Sequence, residues 1–252
     1  MIDFSINLHH ANWGIYLVEF RFLALLALGG SILLADPAPK PEEIVANYAA
    51  ASREMETALN GASMEVNIQA SIPKLKKEGK LRALRHISNL GRITYEALSF
   101  VGDNTVKQNV IARYLTAEAQ AQAEHIGSVA VTPENYKFKF KRTAELDGRE
   151  LHVFQVSPRK KRVGLFKGEV WIDAGTHLRV FESGRLVKNP SIFLKKVEFV
   201  RKYEIRDGIS VPRHIQSVVD TRLVGPAELR IDFTNLTLAE ITKRASLQSG
   251  DR

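Results

Sequence analysis

The sequence of 252 residues has no cysteine. That excludes a disulfide framework, thiol catalysis, thiolate-zinc sites and a cysteine-linked lipid anchor. HExxH, a Gly-rich phosphate loop and a GxSxG elbow are also missing. His86, His125, His152, His177 and His214 form no pair at helical metal spacing, and Glu42-Glu43 suits a helix start better than acid/base work. We therefore expect no enzyme, no metal and no cofactor. Acids are outnumbered, with Asp+Glu 28 against Lys+Arg 36, giving +8 and a pI near 9.6. Anionic lipid surfaces and nucleic acid are both favoured by that charge. Hydrophobic residues at 44% and charged residues at 25% are ordinary globular values, which argues against a wholly disordered chain or a polytopic membrane protein.

Long apolar runs are lacking too. Phe22 to Ala35, FLALLALGGSILLA, is free of charge but spans only fourteen residues, short of the roughly twenty that cross a bilayer. Its length fits the apolar region of a secretory signal, bounded by Arg21 and Asp36, with cleavage after Ala35. Residues 1–35 are thus expected to be a signal peptide or an uncleaved N-terminal anchor. Either places the protein in the periplasm or cell envelope, away from nucleic acid. Residues 36–41, DPAPKP, form a stiff Pro-rich linker.

After Pro41 the pattern changes period. Ile44, Val45, Tyr48, Ala49, Met55 and Leu59 mark an amphipathic helix closed by Asn60-Gly61. Met64, Val66, Ile68, Ala70 and Ile72 then recur every second residue, as a half-buried strand requires. Strands are expected near Lys80–Ile87 and Arg92–Phe100, and a second helix over Asn104–Gln122 with Asn104 as its cap. From Tyr136 onward the chain reads as nearly all strand. Asp147-Gly148 signals a tight hairpin. Ala174-Gly175, Ser183-Gly184, Asp207-Gly208 and Gly225-Pro226 separate the later strands, and such short connections imply antiparallel neighbours. The expected class is mainly β (α+β): a curled antiparallel sheet covered by two or more helices, over residues 42–241, with a disordered tail at 242–252.

Lys167 to Val187, KGEVWIDAGTHLRVFESGRLV, resembles the LolA-like family of outer-membrane lipoprotein-sorting proteins. The likeness lies in Trp171-Ile172-Asp173 ending a strand, the turn at Ala174–Thr176, the strand Leu178–Glu182 and the turn at Ser183-Gly184. The flanking VFQVSPRKK and EIRDGISVPRHIQSVV keep the same order, so the likeness spans roughly Tyr136 to Leu238. It is closer to diverged secreted relatives than to the carrier itself, because KNPSIF (Lys188–Phe193) and the basic SPRKKRVG loop depart from the carrier. The resemblance implies an incomplete β-barrel over helices, with a hydrophobic cavity for acyl chains in an exported protein.

Alternating apolar residues would supply such a cavity: Tyr136, Phe138, Phe140, Val170, Ile172, Val197, Phe199, Ile215, Val219, Ile231 and Phe233. Core packing uses the same residue types. Arg159, Lys160, Lys161 and Arg162, with Lys167 nearby, suit either a solvated hairpin loop or a headgroup contact on an anionic membrane. The function expected is a monomeric, exported carrier of lipid or lipoprotein acyl chains. The alternatives are an envelope sensor or interaction module that binds another protein, and an envelope enzyme with a site of unfamiliar pattern.

Overall fold

In the computed structural model, residues 39–124, 129–190, 194–222 and 225–238 are described. The expected signal segment 1–35 and the tail 242–252 lie outside them. Helix α1 (Pro41–Ala58) opens with proline in its first turn beside Glu42 and Glu43. Proline has no amide hydrogen to leave unpaired there, and the acids complement the positive end of the helix dipole. Ile44, Tyr48, Ala49 and Met55 form its buried stripe.

Ten strands follow: β1 (Ser63–Ile72), β2 (Lys77–Ile87), β3 (Ile93–Gly102), β4 (Tyr136–Leu146), β5 (Arg149–Pro158), β6 (Phe166–Asp173), β7 (Arg179–Leu186), β8 (Leu194–Arg206), β9 (Ile209–Thr221) and β10 (Pro226–Thr237). They form one sheet in the order β3-β2-β1-β10-β9-β8-β7-β6-β5-β4, and every neighbouring pair is antiparallel. The expected class therefore holds: a curled antiparallel sheet, not closed into a barrel, with helices against it. Strands β4 to β10 make the meander, and β1 docks beside β10. That leaves β3 and β4 as the two open edges.

The crossover between those edges is helical. It runs through α2 (Asn104–Val106), a π-helical stretch Lys107–Ala112 and α3 (Arg113–Glu124). The predicted second helix is thus present but not regular. Its wider middle turn brings Val106 and Ile111, five residues apart, into the same buried cluster. The cap is Asp103, one residue before the Asn104 expected. Its carboxylate accepts the Thr105 amide at 2.7 Å.

Ser183-Gly184 needs a correction as well. It lies inside β7 and is not a turn. Gly184 stands opposite Gly168 on β6, and the two backbones approach so closely that a Cβ on Gly168 would collide with the Ser183 carbonyl oxygen. Glycine here serves strand proximity, a use that a sequence pattern of turn residues does not separate from a bend. The Asp147-Gly148 and Asp207-Gly208 turns are as expected, with both residues of each at positive φ.

One register row crosses the whole sheet on its helix-covered face. From β3 to β4 it reads Phe100, Leu81, Ile68, Ile231, Ile215, Arg201, Glu182, Val170, Phe154, Phe140. The neighbouring row on the outer face is mostly polar, with Lys139, Gln155, Glu169, Gln216, Arg230, Gln69 and Lys80 among its members. Period-two alternation thus sorts the two faces. Two buried clusters result. One joins Val106 and Ile111 to β1, β2 and β10. The other joins Ile44 and Tyr48 of α1 to Tyr136, Phe154, Phe166, Val170, Ile172 and Phe199. Each helix therefore seals its own part of the sheet.

Candidate functional site

Between those apolar clusters, β7 and β8 carry charge on the covered face. Glu182 has no solvent exposure. Its carboxylate accepts from Arg179 Nη1 at 3.0 Å, Arg201 Nη1 at 3.3 Å and the Tyr203 hydroxyl at 3.0 Å. The Arg179 guanidinium lies 4.7 Å from the Tyr203 ring centre, and that of Arg201 4.3 Å from the Phe199 ring centre. Burial alone would raise the Glu182 pKa, but Arg179 and Arg201 outweigh it and hold the carboxyl below its usual range. Glu182 is ionised and doubly paired, as a buried carboxylate must be.

Tyr48 of α1 closes one side of this cluster. Burial pushes its hydroxyl up to about 12, against the opposing pull of Arg179. On the α3 side Tyr114 interacts electrostatically with Arg201. Burial raises it well above the ordinary tyrosine value, with Glu118 and Tyr95 adding to the rise and Arg201 opposing it. A second polar group lies beyond it, where Arg85 pairs with Glu118 at 3.3 Å and Tyr95 donates to the same carboxylate. The helix-covered face thus has a polar band from α1 to α3, bordered by apolar residues.

That band is not sealed from water. The Arg201 side chain keeps 36% of its surface accessible and Arg179 keeps 24%. Desolvation by surrounding protein is nonetheless the largest influence on both, overcome by Tyr203 and Glu182, so that both cations stay firmly protonated. An open groove of about 390 Å³ lies along α1, lined by Ala51, Glu54, Met55 and Ala58 with Thr176, Leu178, Gly208 and Ile209. Leu178 and Ile209 adjoin Arg179 and Ser210, whose hydroxyl donates to the Arg179 carbonyl at 2.7 Å.

The residues read from the sequence as cavity candidates fall into two groups. Tyr136, Val170, Ile172 and Phe199 belong to the α1 cluster, with Phe138 packed against it. Ile215, Ile231 and Phe233 belong to the other. Val197 and Val219 are paired and half-buried, and Phe140, near the open edge, is 37% exposed. None of the eleven lines the groove along α1. Sequence reasoning missed Arg179, Glu182, Arg201 and Tyr203. A signal existed on β8, where Val197, Phe199, Arg201 and Tyr203 share one phase of the alternation, although a register shift intervenes between Lys202 and Tyr203.

The basic loop lies between β5 and β6, as expected of a hairpin end. Its four cations divide by role. Arg159 Nε donates to the Pro133 carbonyl and Arg162 Nη2 to Asn135, both at 2.7 Å, so these two tie the loop to the segment before β4. Lys160 and Lys161 are exposed. Lys167 is exposed on β6, opposite Arg185. Among the described residues no three His, Asp or Glu side chains group as a metal site, and no helix is long and apolar enough to cross a membrane. His214 instead pairs with Asp232 at 2.7 Å.

No family model matches the sequence, and no curated protein matches it. Among solved structures, a LolA superfamily protein from Nitrosomonas europaea is similar at 9% identity over 77% of this chain and 93% of that one, with a TM-score of 0.40. A DUF1329 family protein from Desulfovibrio piger gives 13% identity, 78% and 93% coverage and a TM-score of 0.40. A Vibrio parahaemolyticus domain described as outer-membrane lipoprotein-sorting gives 12%, 76% and 92%, with a TM-score of 0.36. The solved structures this chain is similar to thus include a LolA superfamily protein and a domain described as outer-membrane lipoprotein-sorting.

Proposed function

We propose that this protein is an exported, non-catalytic binding protein of the cell envelope that holds the acyl chains of a lipid or lipoprotein against the helix-covered face of its sheet. The observation that carries the reading is the separation of the two apolar clusters. α1 and the α2–α3 crossover each cover one cluster, and a charged band that is partly accessible to water lies between them. A small displacement of α1 would join that band to the Tyr136, Phe138 and Phe154 surface. Acyl chains entering there would gain about 0.8 kcal/mol per buried methylene, before the costs of association. Lys160, Lys161 and Lys167 would face the headgroups of an anionic membrane during loading. The binding act needs no bond-making and no cofactor.

Mass spectrometry of an organic extract of the purified protein tests this. Acyl lipids at near-stoichiometric yield are expected. A lipid-free protein that also fails to bind a fluorescent fatty acid would rule the reading out.

A specific observation favours a second reading, as an interaction module. Among the described residues β3 and β4 are each paired on one side only, and Leu98 and Val101 on β3 are 47% and 72% exposed. An open edge with exposed apolar residues is a template for an added strand from another envelope protein. Cross-linking in intact cells from position 98 or 101 would capture that partner, whereas the lipid extract would then be empty.

A further inference from the structure

The polar band holds more positive charge than its own acids neutralise. Arg179 and Arg201 share a single enclosed carboxylate, that of Glu182. Glu56 also acts on Arg179, but from the exposed side of α1, where water screens it. Glu118 is engaged by Arg85 and Tyr95. Of the donors on Arg201 only Nη1 has a hydrogen-bond partner among the described residues, and that side chain is the most accessible of the cluster. Arg179 Nε is buried and has no hydrogen-bond partner among the described residues. The Tyr114 hydroxyl, held protonated, likewise has no hydrogen-bond partner among the described residues. Arg201 and Tyr114, both partly exposed, thus carry spare N–H and O–H donors beside a surplus cation, and the chemistry this matches is an oxyanion.

We propose that the charged band over β7 and β8 binds the anionic group, a carboxylate or a phosphate, of an amphiphile whose acyl chain lies among the flanking apolar residues. This rests on the acyl-binding reading and narrows it from any acyl chain to one that ends in a negative charge. Arg201 is the principal contact, Tyr114 donates from α3, and Glu182 holds Nη1 of the Arg201 guanidinium while its other donors stay free for the ligand.

The test uses the full chain, a fluorescent long-chain fatty acid and its methyl ester, which differ only in head charge. At pH 8 the parent protein should bind the acid about tenfold more tightly than the ester, the scale of one or two hydrogen bonds to a charged group. Arg201→Gln should bind both ligands alike, near the affinity of the ester. Because that change also disturbs the ion pair with Glu182, Tyr114→Phe is measured beside it. This variant keeps every ion pair and should still lose several-fold of the preference for acid. Equal affinity of the parent for acid and ester, or an undiminished preference in both variants, would overturn the proposal while leaving acyl binding intact. Binding of neither ligand would remove the acyl reading and this inference together. Inorganic phosphate titrated against the bound acid separates the two sources of anion. Competition shows that a free anion fills the site, and no competition restricts it to a tethered headgroup.

Discussion

Glu182 and Arg201 stand directly opposite each other on β7 and β8, the two charged positions in a register row that is apolar on the other eight strands. Hydrophobic residues at both positions would have made one continuous core from α1 to α3. The ion pair interrupts it, at a place where Arg179 and Arg201 stay partly accessible to water. Buried ion pairs add little net stability over an apolar replacement, but a single unpaired member is costly.

Glu182→Gln should therefore lower unfolding stability by about 3–5 kcal/mol, because Arg179 and Arg201 lose their shared counter-charge. Urea denaturation followed by tryptophan fluorescence measures it. A loss under 1 kcal/mol would mean that water already neutralises the cluster.

The same residue predicts a pH dependence. The Glu182 carboxyl titrates below its unfolded value because Arg179 and Arg201 outweigh burial. Its stabilising contribution is thus complete above the unfolded value of about 4.3 and is lost as pH falls through the lower, folded value. Stability curves of parent and Glu182→Gln should run apart at pH 6 and converge in acid. Parallel curves would show that another carboxylate dominates acid unfolding.

Gly168→Ala probes the close approach of β6 and β7. An added methyl meets the Ser183 carbonyl and Gly184 with no flexible side chain to yield. The expected loss is about 1–3 kcal/mol or more, read as a lowered Tm. An unchanged Tm would show that the two strands can separate without penalty.

Phe138→Ala separates packing from binding. Phe138 is half-buried, with ring centres of Tyr48 and Phe154 each 6.0 Å away. As part of an acyl site it should weaken binding of a fluorescent fatty acid by tenfold or more, while stability falls by less than the ~3–5 kcal/mol of a fully buried phenylalanine. The reverse balance would assign it to the core.

Lys160→Glu with Lys161→Glu tests the membrane contact without undoing the loop, since Arg159 and Arg162 hold it to Pro133 and Asn135. Co-sedimentation with anionic vesicles should fall at low salt, and fatty-acid affinity should stay unchanged. Equal sedimentation at every ionic strength would leave the two lysines as solvated surface.

Much of this architecture is legible in the sequence where the physics is local. Met64 to Ile72 alternate and form β1, and Asp147-Gly148 turns because both residues adopt positive φ. Ser183-Gly184 misleads because glycine marks two things, a turn or a tight backbone approach, and only the facing Gly168 decides between them. The docking of β1 beside β10 depends on residues from opposite ends of the described chain, which no local pattern encodes. The polar band is half legible. Arg201 lies in the inward phase set by Val197 and Phe199, but its partner Glu182 comes from another strand, and a charge on an apolar face has meaning only once paired.

The pairing of Ile68 with Ile231 also governs how the protein must fold. Strands β1 to β3 are made first, yet one edge of β1 has no mate until β10 arrives last. Closing so long a loop is entropically slow, and high contact order places such sheets in the millisecond-to-second range. Until then an alternating apolar strand is open to any passing chain. A holding chaperone that delays collapse until synthesis ends would thus raise the yield of this protein more than one that speeds its early hairpins.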